Sequence, residues 1–303
     1  MNIIYFGDFE KPYDTELYIA RAFRELGHNV TCFQESRTKI FQPDNIVEEI
    51  KQMGVELVLF SKGKPPGDSQ SMIEMLKENG IKTAVWLFDL YFGLQSGRKE
   101  HLIRKIAPFN AEYIFSTDGG HQEEFEKYGI KHKLLRQGIY EAEAILYDRP
   151  KTKDVIFVGN DAFKTREKML TKLEERYGTR FEWWGRPNKV VRNLPLNELY
   201  ASTKVVVGDS QPSPYYWSNR IYETLGRGGF LIHPYVKGLE DEFEIGKHLV
   251  TYEYGNLEDL FAKIDYYLAH DEEREAIRKA GFEHVKNNYT YKQRCQKLLE
   301  MIA

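Results

Sequence analysis

What most constrains the fold of this chain is a rhythm. Short apolar runs bounded by Gly, Pro or polar residues alternate with longer amphipathic stretches, and midway along the chain the rhythm begins again. That alternation is what strands and crossover helices leave behind when they wind around a mostly parallel sheet. In the first half it predicts strands at Asn2 to Phe6, Asn29 to Phe33, Val55 to Phe60, Lys82 to Phe88, Glu112 to Ser116 and Lys133 to Arg136. Helical stretches fill the gaps. In Thr15 to Leu26, Leu17, Ala20, Arg21, Phe23 and Arg24 mix apolar and polar faces at helical spacing, and Gly27 supplies the stop.

Asp148 to Lys153 is polar, carries Pro150 and reads as a linker. Asp154-Val155-Ile156-Phe157-Val158-Gly159 then opens like the first strand, and further strands are predicted at Arg180 to Trp184, Lys204 to Val207, Gly229 to His233 and His248 to Tyr252. The tail from Asn256 to Ala303 reads as two or three helices, one starting at Asp271-Glu272-Glu273 with Gly281 interrupting it near its end. The reading is therefore two α/β domains, 1–148 and 149–303, a division that 303 residues also suit. Open parallel sheets bind ligands beyond the carboxyl ends of their strands, so two such halves predict a cleft with function in its loops.

Composition narrows the classes. At 42% hydrophobic and 29% charged the chain is globular, and 43 basic against 46 acidic residues leave no bulk field to hold nucleic acid. Cys32 and Cys295 offer neither a disulfide framework nor a zinc set. The amino terminus shows no secretory pattern and no apolar run approaches the ~20 residues of a spanning helix, so the expected location is the cytoplasm. There is no G-x-x-x-x-G-K-[ST], no G-x-G-x-x-G after the first strand, no H-E-x-x-H and no Asp-x-Asp, and no metal site is predicted. Val207-Gly208-Asp209-Ser210-Gln211-Pro212 begins like a nucleophile elbow and lacks its second glycine.

The most specific segment runs Asn219-Arg220-Ile221-Tyr222-Glu223-Thr224-Leu225-Gly226-Arg227-Gly228-Gly229-Phe230-Leu231-Ile232, followed by Gly238 to Phe243 and Gly246 to Val250. It resembles the donor-binding signature of two-domain (GT-B fold) glycosyltransferases, and more narrowly the CgeB-like, spore-maturation-type branch. Tyr266 to Ile277 and Tyr289-Thr290-Tyr291 are similar to the helical tail of the same group, and Gly7 with Ala20 to Val30 to its amino-terminal unit. The resemblance implies two Rossmann-like domains and metal-independent transfer from a nucleotide sugar, a UDP-sugar foremost, with no other cofactor and an unidentified acceptor. It implies that Glu223 takes the ribose, that Gly228 and Gly229 let the chain pass tightly into the next strand, and that Ser218 and Asn219 present the helix to the phosphates. Gly159, with Lys164 or Arg166 just beyond it, is expected to meet the leaving diphosphate, and we extend that expectation to Arg220. Family 4 retaining enzymes of the same fold carry a glutamate where this chain has Tyr215. Tyr215, Tyr216 and Trp217 read either as a stacking platform for sugar or base or as loop packing.

On the acceptor side, Asp89 and Asp118 follow predicted strands and read either as a catalytic base or as turn residues, with His121 a weaker base. Lys62 to Gly67 reads as a basic loop. Arg98, Lys99, Arg104 and Lys105 flank Leu102, Ile103 and Ile106, a stretch that fits a peripheral membrane contact or ordinary core packing. Retaining and inverting chemistry both stay open, as do a nucleotide-sugar epimerase of the same fold, a non-catalytic sugar-nucleotide binder, and a nucleic-acid acceptor that the charge does not favour.

Overall fold

The structure, a computed structural model, describes residues 1–34, 43–61, 69–90, 110–160, 164–185 and 189–303. Strands β1 (Asn2–Gly7), β2 (Asn29–Gln34), β3 (Leu57–Ser61), β4 (Lys82–Leu87), β5 (Tyr113–Ser116) and β6 (His132–Leu134) form one parallel sheet in the order β2-β1-β3-β4-β5-β6. Helices α1 (Thr15–Glu25), α2 (Pro43–Gln52), α3 (Ser69–Glu78) and α4 (Gln122–Glu126) accompany it. Apolar residues at 18, 19, 22 and 23 turn one face of α1 into the core. The helix ends because Gly27 takes φ +86°, and the His28 N–H reaches back to the Phe23 carbonyl at 3.1 Å.

A second parallel sheet, in the order β11-β10-β9-β7-β8, is built from β7 (Lys153–Val158), β8 (Phe181–Trp184), β9 (Thr203–Val207), β10 (Leu231–Pro234) and β11 (Val250–Tyr252). Its helices are α5 (Lys164–Tyr177), α6 (Leu194–Ala201), α7 (Arg220–Gly226), α8 (Leu257–Ala269) and α9 (Asp271–Asn288), and α10 (Tyr291–Ile302) closes the chain. Val155, Ile156 and Phe157 are all buried, as a central strand covered on both faces requires. Ile156 joins the cluster that holds Leu199 and Ile221, while Val155 and Phe157 join the one that holds Leu173 and Ile264. The expected α/β class with two parallel-sheet domains and carboxyl-terminal helices is thus the observed one.

The chain divides into two compact units, Met1–Gln137 with Tyr291–Ala303, and Gly138–Thr290. These bounds differ from a split at 148/149 in two ways: residues 138–148 belong to the second unit, and α10 belongs with the first. Lys82 and Lys133 donate to the carbonyls of Ile302 and Met301 at 2.5 and 2.7 Å, satisfying the last turn of α10 from strands far away in sequence. Gly281 does not interrupt α9, which runs unbroken from Asp271 to Asn288. A side chain at 281 would put its Cβ 2.2 Å from the His248 carbonyl oxygen, so the glycine permits a close backbone approach.

Candidate functional site

Register builds the site in the second unit. Phe157 pairs with Val207 and Val207 with Ile232, so β7, β9 and β10 end level with one another. Gly159, Asp209 and His233 therefore stand together at the carboxyl edge of the sheet, the place where open α/β sheets take ligands. The first turns of α5 and α7 bring Arg166 and Arg220 to the same edge.

Asp209 lies between the two guanidiniums. Arg166 Nε donates to Asp209 Oδ2 at 2.5 Å, and Arg220 Nη1 donates to Asp209 Oδ1 and, at 3.2 Å, to the Asp209 main-chain oxygen. Main-chain carbonyls hold the same forks a second time: Arg220 Nε donates to Val158 O at 3.0 Å, and Arg166 Nη1 to Asn160 O. Both cations lie near the Phe157 ring, at 5.6 and 5.0 Å from its centroid. Burial pushes the Asp209 carboxyl up, but Arg220 and Arg166 outweigh it and hold the group below its ordinary range. Gly159 is needed at the end of β7 because a Cβ there would lie 2.6 Å from Arg220 Nη2 and 2.9 Å from the Phe157 ring.

His233 is fully buried behind this cluster. Its Nδ1 lies 2.7 Å from the Pro234 oxygen, and among the described residues its Nε2 has no hydrogen-bond partner. Burial depresses its pKa to about 4, with Arg220 adding to the drop and the Pro234 carbonyl and Asp209 opposing it. Beside the cluster opens a cavity of about 180 Å³, walled by Arg166, Asp209, Ser210, Tyr252 and Tyr254 among others.

Glu223 faces a second polar cluster. Its Oε2 accepts from Arg227 Nε at 2.8 Å and its Oε1 from Asn219 Nδ2 at 3.3 Å. Arg227, 2% exposed, also donates to Glu143 and, at 2.7 Å, to Asn197 Oδ1. Burial would lower the Arg227 pKa, yet the carboxylates of Glu223 and Glu143 raise it further than burial lowers it. Asn197 Nδ2 in turn donates to the carbonyls of Glu143 and Ile145 at 2.7 and 3.1 Å. Glu223 is thereby held in one orientation by a buried cation.

Of the remaining expected residues, Ser218, just ahead of α7, has a buried Oγ with no hydrogen-bond partner among the described residues. Lys164 opens α5, and its side chain lies outside the described residues. Gly228 takes φ +74°, and a Cβ there would lie 2.5 Å from Leu146 Cδ1. Tyr215 adopts φ +55°, its N–H donating to Lys237 O at 2.8 Å and Lys237 Nζ lying 5.7 Å from its ring centroid. Tyr216 and Trp217 are buried, and Trp217 Nε1 donates to Tyr222 Oη at 3.0 Å. Those two rings are core, which leaves Tyr215 as the partly exposed member of the triplet.

The acceptor-side candidates belong to the first unit. Asp89 is exposed just beyond β4. Asp118 is fully buried beyond β5, where Oδ1 accepts from Gly120 N at 3.2 Å and lies 2.9 Å from His121 Nδ1, the pattern of a turn aspartate that orients a histidine. The basic loop at 62–67 and the stretch at 98–106 lie outside the described residues. Among the described residues no helix is long and apolar enough to cross a membrane, and no three His, Cys, Asp or Glu side chains are grouped to hold a metal ion.

Sequence reasoning missed Asp209, His233 and the Glu143–Asn197–Arg227 cluster as parts of the site. Asp209 had one usable signal, its position just past a buried strand. Arg227 and Glu143 had none, since 84 residues separate them.

Residues 165–300 match the family model described as glycosyl transferase-like. No curated protein matches the chain. Among solved structures, a glycosyltransferase from Rickettsia africae ESF-5 superposes with a TM-score of 0.72 at 14% identity, covering 99% of this chain and 97% of that one. Anabaena Alr3699/HepE, in complex with UDP and glucose, superposes with a TM-score of 0.69 at 12% identity over 100% and 99% of the two chains. Sucrose-phosphate synthase from Thermosynechococcus elongatus superposes with a TM-score of 0.67 at 13% identity over 99% and 98%. The chain thus shares the two-domain, parallel-sheet fold of these GT-B glycosyltransferases.

Proposed function

We propose that this protein is a glycosyltransferase that binds a nucleotide sugar, with a UDP-sugar as donor, at the carboxyl edge of the second sheet and passes the glycosyl group to an acceptor bound by the first unit. The observation that carries the reading is the pair of guanidiniums, Arg166 and Arg220, fixed on Asp209 beside Gly159. A diphosphate leaving group gains charge as the glycosyl bond breaks, and preorganised cations lower that barrier without reorganising at the moment of reaction. Each charge-assisted hydrogen bond of this kind contributes about 1.5–3 kcal/mol. Glu223, held by Arg227 and Asn219, supplies a carboxylate for the ribose hydroxyls. The UDP complexes of the Anabaena fold-mate support a uridine donor.

In this reading Arg166 and Arg220 do the work a metal ion does in other transferases, and the glycosyl group keeps its anomeric configuration. Asp89, exposed at the end of β4, is the acceptor-side carboxylate, and Asp118 acts through His121. Assignment to the CgeB-like branch rests on the segment from Asn219 to Ile232. Two cysteines far apart in sequence, neither in a disulfide, fit a cytoplasmic enzyme.

The test is turnover of UDP-glucose and related donors with a panel of glycan, lipid and small-molecule acceptors. Acceptor-dependent release of UDP supports transfer. Isomerised donor without release points to an epimerase, and saturable binding with neither points to a sugar-nucleotide sensor, the outcome that the replacement of the family 4 glutamate by Tyr215 would favour.

A further inference from the structure

We infer that Asp209 is a positioning residue: its carboxylate, placed between Arg166 and Arg220, aims the two guanidiniums for the departing diphosphate. The inference rests on the donor reading above and adds to it a group that itself touches no donor.

Two like charges packed near one aromatic ring repel, and left alone they would swing apart into solvent. Asp209 removes that repulsion by giving one carboxylate oxygen to each fork. Its side chain is only 14% exposed, so water screens the pairing little. The geometry of the Arg220 fork shows the consequence. Nε and Nη1 are committed to Val158 O, Asp209 O and Asp209 Oδ1, which turns Nη2 over Gly159, at the end of β7, where a Cβ would sit 2.6 Å away. A cation that spends two of its nitrogens on the scaffold and one on the ligand edge is preorganised, whereas a mobile one must be ordered by the substrate.

Charge gives the inference a signature. With Asp209 ionised the trio carries a net single positive charge; without it the charge doubles while the aim is lost. Affinity for an anion and rate of its departure should therefore separate. An alternative role, in which Asp209 fills the phosphate seat and must be expelled, makes the opposite forecast for rate.

The experiment compares the wild-type protein with Asp209→Asn, measuring UDP affinity by calorimetry and UDP release from UDP-glucose with water as acceptor, a step in which the glycosyl–oxygen bond breaks and water supplies the hydroxyl. The expected result is UDP affinity within threefold of wild type or tighter, with the release rate lowered at least tenfold. A release rate within threefold of wild type, a faster one, or a loss of affinity in proportion to rate overturns the inference. Asp209→Ser, smaller and uncharged, serves if the asparagine variant does not melt cooperatively, with the same outcomes. A wild-type protein that neither binds UDP nor releases it overturns the donor reading itself and takes this inference with it, while unchanged kinetics in the variants overturn the inference alone.

Discussion

Replacing Arg227 by methionine tests whether a buried ion cluster holds α7 against the Glu143 and Asn197 segments. Methionine keeps most of the side chain's volume, so the change isolates the charge. The guanidinium is 2% exposed and bonds to Glu223 at 2.8 Å, to Asn197 at 2.7 Å and to Glu143. Removing one partner of a buried pair costs about 3–5 kcal/mol, because the other charge stays buried without compensation. Here the two carboxylates are left in different positions. Glu223 is 23% exposed and can recover water, whereas Glu143 at 7% cannot, so the expected loss lies near the low end, about 3 kcal/mol. Urea denaturation should show the midpoint falling with the slope unchanged. Adding Glu143→Gln to the variant removes the stranded charge and should restore about 1–2 kcal/mol, so the cycle is strongly non-additive. A loss under about 1 kcal/mol for Arg227→Met, or strict additivity with Glu143→Gln, would refute the view that this cluster is a coupled unit.

Other consequences follow from the same cluster and its neighbours. Glu223→Ala should weaken UDP-sugar binding about 10–100-fold, the worth of hydrogen bonds to a charged acceptor, while the protein stays folded; calorimetry with unchanged affinity would remove Glu223 from the site. Gly159→Ala should destabilise by only about 1–2 kcal/mol, since the side-chain end of Arg220 can swing away from the new Cβ, yet UDP affinity should fall at least fivefold; a variant that binds normally would show that the close approach is not used. His233 has a folded pKa of about 4 against an ordinary 6.5, so between those values the unfolded chain takes up a proton that the folded protein refuses. Its contribution is complete above pH 6.5 and is lost as pH falls toward 4, by about 3 kcal/mol in all. Stability measured across that window should therefore slope less steeply in His233→Gln than in wild type, and equal slopes would contradict the burial argument.

Most of the scaffold was legible in the chain because the signals that make it are local. The strands betray themselves as short apolar runs, and the restart at Asp154 reflects a real second sheet. What was not legible depends on partners distant in sequence. The closing helix reads as part of the second half, but its terminal carbonyls are satisfied by Lys82 and Lys133, which no local pattern announces. Gly281 reads as a helix interruption, since a glycine that admits the His248 carbonyl looks the same in sequence as one that ends a helix. At the site, Glu223 and Gly159 are singled out by the resemblance to a donor-binding signature, and Arg166 and Arg220 by the expectation that a diphosphate wants cations near a helix start. That Asp209 and His233 join them emerges only when strand register sets the ends of β9 and β10 level with that of β7. The aromatic triplet was ambiguous for a similar reason: whether Trp217 faces solvent or core depends on Tyr222, whose hydroxyl accepts its indole N–H.

If the cations on Asp209 receive the diphosphate of a nucleotide sugar, a crystal structure of the protein with UDP will show phosphate oxygens within hydrogen-bond distance of Arg220 and Arg166 over Gly159, with a ribose hydroxyl donating to Glu223. UDP bound elsewhere, with the Arg166–Asp209–Arg220 cluster untouched, would contradict it.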